Sequence, residues 1–207
     1  ASGKDMTHTL RAWFNHDSAN STRELNGCSI LPKHLLEIES FNHLSAVLSH
    51  LEIKQLTNND SFEALLSKCQ FAFNVLQSVE AYAIHEKFID KRMDSYDPQV
   101  MSRILRARKW TPADISKANL YKNKITNWFN DFFETYDFLV MPISPTASVP
   151  LKDANSSLRE MTLQLTTPAS LSGLPALTVP VWLDEKRSIG LQFIFKKVEP
   201  KIPLAVV

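Results

Sequence analysis

Two serines stand one residue apart in Ser170-Leu171-Ser172-Gly173. A serine hydroxyl attacks a carbonyl carbon when a base takes its proton and backbone N–H groups hold the resulting oxyanion. Those N–H groups must converge on one atom, which calls for a glycine-rich turn around the nucleophile. Here a leucine separates the serines and a single glycine follows. Ser156-Ser157 has no glycine beside it. Neither pair meets the requirement, so no catalytic residue is assigned, and loop or packing roles account for both.

Histidine and cysteine chemistry finds no better footing. His8, His16, His34, His43, His50 and His85 contain no pair spaced i, i+4, the spacing that sets two ligands on one helix face. His43 and His50 bracket the polar edge of one helix. Cys69 falls within an apolar helix face, where a thiol acts as a small core residue. No Gly-rich phosphate loop occurs, so neither metal nor cofactor is implied. With Cys28 the two cysteines make no disulfide framework, and no signal-like segment opens the chain, so a reducing cytoplasm is the expected location.

A net charge of +1 gives no reason to expect nucleic acid or an anionic membrane as partner. The basic run Arg103, Arg106, Arg108, Lys109 reads as a solvated helix end. Leu174–Leu183, the longest apolar tract, is broken by prolines and is far shorter than a membrane span.

The positioning elements are mainly helices. A short helix is expected over Met6–Asn15, then a polar connection through Asn26-Gly27. From Pro32, Leu35, Ile38, Phe41, Leu44, Leu48 and Leu51 recur at spacings of three and four, one apolar face. Asp60 with Glu63 predicts a capping box opening a helix that runs to about Arg92. After a break at Ser95–Pro98 comes a short helix over Gln99–Arg108. Thr111-Pro112-Ala113-Asp114 then starts a helix that presents Leu120, Ile125, Trp128, Phe129, Phe132 and Phe133 for packing. Phe138–Met141 reads as a strand buried on both faces. A helical or irregular stretch reaches Leu171. Ala176–Val181 and Ile189–Phe195 complete three strands, joined by the turn Asp184–Arg187; Pro180 counts against a central strand.

Several segments, in order, resemble the second half of amidase-signature amide hydrolases. Ser78-Val79-Glu80-Ala81-Tyr82-Ala83-Ile84-His85 is similar to that family's Glu-Ala…His helix. Tyr96-Asp97-Pro98-Gln99-Val100 with Arg103-Ile104 resembles its Tyr-x-Pro-x-Val…Arg-Ile step, and Tyr136-Asp137-Phe138-Leu139-Val140-Met141-Pro142 its Tyr-Asp-x-Leu-x-x-Pro strand. Thr167–Ala176 looks like its Pro-x-Asn-x-x-Gly-x-Pro-Ala element, Ile189-Gly190-Leu191-Gln192 its hairpin return, and Asp5 with Asn15-His16-Asp17…Ser21-Thr22 the segment after its nucleophile. The resemblance implies an α/β fold, a mixed β-sheet covered by helices and helix-rich in this portion. Residues 1–33 would follow the nucleophile region, 34–135 form a helical layer, and 136–207 complete the sheet.

It also implies an activity whose chemistry lies elsewhere. Such enzymes cleave or transfer carboxylic amides with two serines and a buried lysine, none of which this chain matches. Its own part would be the pocket wall: Met141 and Ile143 at a strand end, Thr166, Thr167 and Ser170 beside it, and Arg103 for a substrate carboxylate. Ser170 replaces the commoner asparagine. Leu163 stands where glutamine-using amidotransferase subunits carry an aspartate, which argues against glutamine as substrate. The expected partners are a small-molecule amide and either a complementing N-terminal half or a second copy, since three strands alone leave open edges. The alternatives are a non-catalytic binding module and an A-type subunit of an aminoacyl-tRNA amidotransferase.

Overall fold

The computed structural model describes residues 25–57, 59–153 and 155–196. The expected helix over Met6–Asn15 and the Asn15…Thr22 motif lie outside the described residues. Within them a five-stranded sheet runs in the order β2-β1-β3-β5-β4. Its strands are β1 Gly27–Ser29, β2 Lys54–Gln55, β3 Phe138–Pro142, β4 Ala176–Trp182 and β5 Ser188–Phe195. β2, β1 and β3 are parallel; β5 and β4 add antiparallel to them.

Sequence periodicity finds three of these strands and misses β1 and β2. Both are too short to display an alternation, and β1 sits in what reads as a polar connection. Pairing places it nonetheless: Ile30 N–H donates to Val140 O at 2.9 Å and Leu56 N–H to Ser29 O at 2.8 Å. Gly27 allows that pairing, because a Cβ there would stand 1.9 Å from Phe138 Cζ.

Among the described residues five α-helices accompany the sheet: α1 Ile38–His50, α2 Asp60–His85, α3 Pro98–Leu105, α4 Pro112–Phe132 and α5 Ser156–Ser172. α1 starts later than the apolar spacing implies. Leu35 N–H closes a turn on Pro32 O, and Ile38, in the first turn, is 80% exposed instead of joining the buried face. Asn59, not Asp60, occupies the N-cap position of α2, and the expected capping box is absent. Glu63 instead receives Asn59 Nδ2 at 2.9 Å and pairs with His34 Nδ1 at 2.9 Å. α2 stops at His85, short of Arg92, and the chain continues through 3₁₀ turns at Ile89–Lys91 and Met93–Ser95. The helix start at Thr111 forms as expected, and Thr111 and Asp114 close a capping box there: Asp114 N–H donates to Thr111 Oγ1 at 3.2 Å and Thr111 N–H to Asp114 Oδ2 at 2.9 Å. Leu120 points outward, leaving Ile125, Phe129 and Phe132 as the buried face of α4.

Residues of the Glu-Ala…His helix act as fasteners. Trp110 Nε1 donates to Ser78 Oγ at 2.8 Å. Arg108 Nε donates to Tyr82 OH at 3.1 Å while its other nitrogen forks onto Asp90. His85 Nδ1 and Tyr96 OH share a 2.7 Å hydrogen bond. These bonds hold the end of α2 against the segment around α3.

β3 is buried throughout and β5 nearly so, whereas β4 is exposed at alternate positions, with Val181 alone of its residues fully buried. β4 is therefore an edge strand, which explains Pro180. Ile143 N–H donates to Gly190 O, so the polar groups of Gly190 face β3. Pro180 pairs with Gly190 from the other side, so its nitrogen faces the free edge and its missing N–H costs the ladder nothing.

The β4–β5 turn is tied to α1. Arg187 forks onto Glu39 at 2.9 and 3.0 Å, and its Nε donates to Asp184 Oδ2 at 2.7 Å. Lys186 and Arg187 N–H also donate to Asp184 Oδ1, and these hydrogen bonds hold the Asp184 carboxyl down at about 2. The hydrogen bond from Arg187 lowers Glu39 too. A carboxylate with a depressed folded value contributes stability above its ordinary range and loses it as the pH falls through the folded value. The turn should thus hold at neutral pH and release between the ordinary Asp value of 3.8 and about 2. Amide shifts of Lys186 and Arg187, followed by NMR against pH, should titrate with a midpoint near the lower figure and lie flat in Asp184→Asn.

Candidate substrate cleft

β3 ends against β5, and the chain turns at Ser144, whose hydroxyl donates to Thr146 O at 2.6 Å. α5 starts from Asn155, whose side chain accepts from Leu158 N–H at 2.9 Å, and ends at Gly173 in the left-handed conformation, φ 63°. Between α5 and the strand ends lies a cleft of about 400 Å³. Ile143 and Ser144 come from the end of β3, Leu158 and Thr162 from α5, Thr178 and Pro180 from β4, and Gly190 from β5. Gly190 lets Ile143 lie flat: a Cβ at 190 would stand 2.5 Å from Ile143 Cδ1 and 3.0 Å from Thr178 Cγ2. An adjoining cleft of about 330 Å³ shares Thr146, Val149 and Leu158 and adds His34, Glu37 and Asp153.

Three hydroxyls along one face of α5 are turned back on their own helix. Thr162 Oγ1 donates to Leu158 O at 2.8 Å, Thr166 Oγ1 to Thr162 O at 3.0 Å, and Ser170 Oγ to Thr166 O at 3.3 Å. Ser172 Oγ has no hydrogen-bond partner among the described residues. Neither serine of the Ser170–Ser172 pair meets a base among them.

A buried glutamine holds the two walls together. Gln192 is 4% exposed, and its Nε2 donates to Leu165 O at 2.8 Å and Pro142 O at 3.3 Å. One amide thus spans the gap between α5 and the end of β3. Gln192→Leu removes both bonds from a buried site and should destabilise the fold by about 1–3 kcal/mol. Urea unfolding of the variant beside the parent chain measures this directly.

The residues named from sequence are spread out. Ile143 lines the cleft. Met141 is fully buried, paired with Gln192 beneath it. Thr166 is half-buried one turn along α5 from Thr162, and Ser170 is exposed one turn further. Thr167 is 1% exposed and faces the core, with Oγ1 lacking a partner among the described residues. Arg103 lies on α3, outside the lining, with Nε donating to Gln99 O at 3.1 Å. Its neighbour Asp97 caps α3 through Gln99 and Val100 N–H. Arg159 lies close enough to Arg103 and Arg106 that, after burial, their charges lower its basicity. Thr162, Thr178 and Gly190 are lining residues that sequence reasoning did not select. The spacing of Thr162 to Thr166 and Ser170 carries that signal for the first of them.

Both thiols are buried. Burial pushes Cys69 up to about 12, and burial raises Cys28, whose Sγ donates to Lys54 O at 3.3 Å. Among the described residues no three His, Cys, Asp or Glu side chains gather as a metal site. No helix there is long and apolar enough to cross a membrane.

The profile of the Amidase family matches residues 21–199. The chain belongs to the Amidase family. Over 131 residues it is 33% identical to the A-type subunit of the glutamyl-tRNA(Gln) amidotransferase of Staphylococcus haemolyticus, a match that covers 60% of this chain and 27% of that protein. A solved amidase superposes with a TM-score of 0.69 at 23% identity, covering 94% of this chain and 47% of its own. Allophanate hydrolase of Kluyveromyces lactis gives 0.62 at 19% identity, over 83% and 29%. These likenesses confirm the α/β architecture of a mixed sheet with helices. The chain spans roughly a quarter of the curated relative and just under half of the solved amidase chain.

Proposed function

We propose that these 207 residues form the pocket-bearing part of an amide hydrolase acting on a non-peptide C–N bond through a serine nucleophile, the serines and their lysine being supplied from outside the chain. The observation that carries this reading is the state of Ser170, the outward-facing member of the paired serines on α5: its hydroxyl is spent on Thr166 O. Family membership supplies the reaction class, and the short span relative to Amidase proteins leaves room for the missing chemistry. The open edge of β4 supports a complementing segment, or a second copy, as partner.

A fluorophosphonate probe tests the first half of this reading. The 207-residue chain should remain unlabelled; a labelled serine within it would refute the assignment. The coding sequence upstream of Ala1 tests the second half. A lysine followed by a Gly-Gly-Ser-Ser-Gly-like segment is expected there, and the joined protein should release ammonia from amides. A joined protein without that segment, or silent with it, favours a non-catalytic binding module.

The curated relative favours a second reading, an A-type subunit of an aminoacyl-tRNA amidotransferase. Leu163, on α5 in place of the aspartate expected for glutamine, opposes it. Glutamine outperforming simple amides in the joined protein would decide in favour of this second reading.

A further inference from the structure

Going beyond the hydrolase reading, we infer that the cleft between the turn before α1 and the start of α5 binds an alkylammonium group, its charge facing Glu37 and Asp153 and an N–H on His34 Nε2. The cleft holds about 330 Å³, room for a small molecule. Its lining includes the carboxylates of Glu37 and Asp153 and neither lysine nor arginine. Among the described residues neither carboxylate has an ion-pair partner, whereas Glu39, Asp90 and Asp184 each meet an arginine. Lys33, three residues before α1's N-cap glutamate in the chain, lies over the Phe41 ring instead, 5.5 Å from its centroid. Main-chain bonds hold both acids in place: Glu37 N–H donates to Pro145 O at 3.0 Å and Asp153 N–H to Pro150 O at 2.9 Å. The apolar walls, Leu35, Leu36, Val149 and Met161, concentrate their field within the cleft. The start of α5 opposes that field with about half a positive charge, which two full negative charges outweigh.

The imidazole is a second, independent sign. His34 Nδ1 meets Glu63 Oε2 at 2.9 Å, and Asn59 Nδ2 holds the other oxygen of that carboxylate at 2.9 Å. An ionised carboxylate only accepts, so Nδ1 carries the hydrogen and Nε2 of the neutral ring presents a lone pair. Glu63 thus fixes both the tautomer and the tilt of a ring that lines the cleft. An ammonium brings a positive charge for the acids and an N–H for that lone pair in one group. A carboxylate brings neither, and an alcohol brings no charge. The alkyl part rests on Leu36, Val149 and Met161.

The test follows the methyl signals of Leu36, Val149 and Met161 and the Nε2 signal of His34 by NMR, in the 207-residue chain and in the joined protein. Butylammonium should move all of them, while butyrate and butanol at equal concentration leave them in place. Glu37→Gln and Asp153→Asn should each weaken butylammonium binding roughly two- to fivefold. Glu86→Gln, roughly 35 Å along α2 from Glu63, should leave it unchanged. The inference is overturned if butyrate or butanol matches butylammonium, if His34 Nε2 stays still while the methyls move, or if the two cleft variants bind as tightly as the Glu86 variant. Binding here uses none of the missing serine chemistry, so ammonia release by the joined protein, or its absence, bears on the hydrolase reading alone.

Discussion

Phe62→Ala should lower the stability of this protein by about 3–5 kcal/mol, enough to consume much of the margin of an ordinary domain. Phe62 is fully buried in the first turn of α2 and meets α4 through two rings. Its centroid lies 4.3 Å from Trp128, tilted by 47°, and 6.0 Å from Phe129 in an edge-on arrangement. Trp128 stacks in turn on Phe132 at 5.2 Å, and Phe132 on Tyr136 at 4.8 Å. Removing one ring leaves a cavity that the others, held in this chain of contacts, cannot collapse to fill. The measurement is the urea midpoint with its slope, and a loss below about 1 kcal/mol would show that α2 and α4 reclose around the gap. Phe62→Leu keeps most of the volume and should recover more than half of the loss.

Gly27→Ala should also be strongly disruptive, although it adds a single methyl group. The new Cβ would fall 1.9 Å from Phe138 Cζ and 2.1 Å from Cε2, so the ring must leave. That ring is packed among Phe193 and Phe195, with centroids 6.0 and 6.1 Å away, and has no ready alternative. Overpacking of this kind costs about 1–3 kcal/mol. The sheet pairing of Gly27 with Phe138 adds a specific check. Phe138→Leu shortens the obstructing side chain, so the double variant should lose less than the sum of the single ones, with a coupling well above about 0.5 kcal/mol. Strict additivity would mean that the strain is relieved by the β1 backbone and not by the ring.

How much of this could be read from the residues depends on the length of each element. α4 announced both its start, through Thr111 and Asp114, and its buried face, through Ile125, Phe129 and Phe132. β3 was legible as a continuous apolar run. β1 and β2 were not, because strands of three and two residues carry no period and owe their existence to neighbours distant in sequence. Asp60 is the first helical residue and not the cap, and Glu63 is held by Asn59 on one oxygen and His34 on the other, a contact that brings together two elements and has no local signature. The cleft was half visible. Ile143 follows from the end of a buried strand, whereas Thr178 and Gly190 join it only once β4 and β5 are paired in register.

The placement of Pro180 governs what can be added to this sheet. The outer margin of β4 offers carbonyl oxygens at alternate residues, but at position 180 the matching N–H is absent. A newcomer aligned with Ala176 and Thr178 would find both halves of each rung, then lose one on reaching the proline. Long, self-propagating stacking of sheets is thereby discouraged, while a short and specific graft remains open.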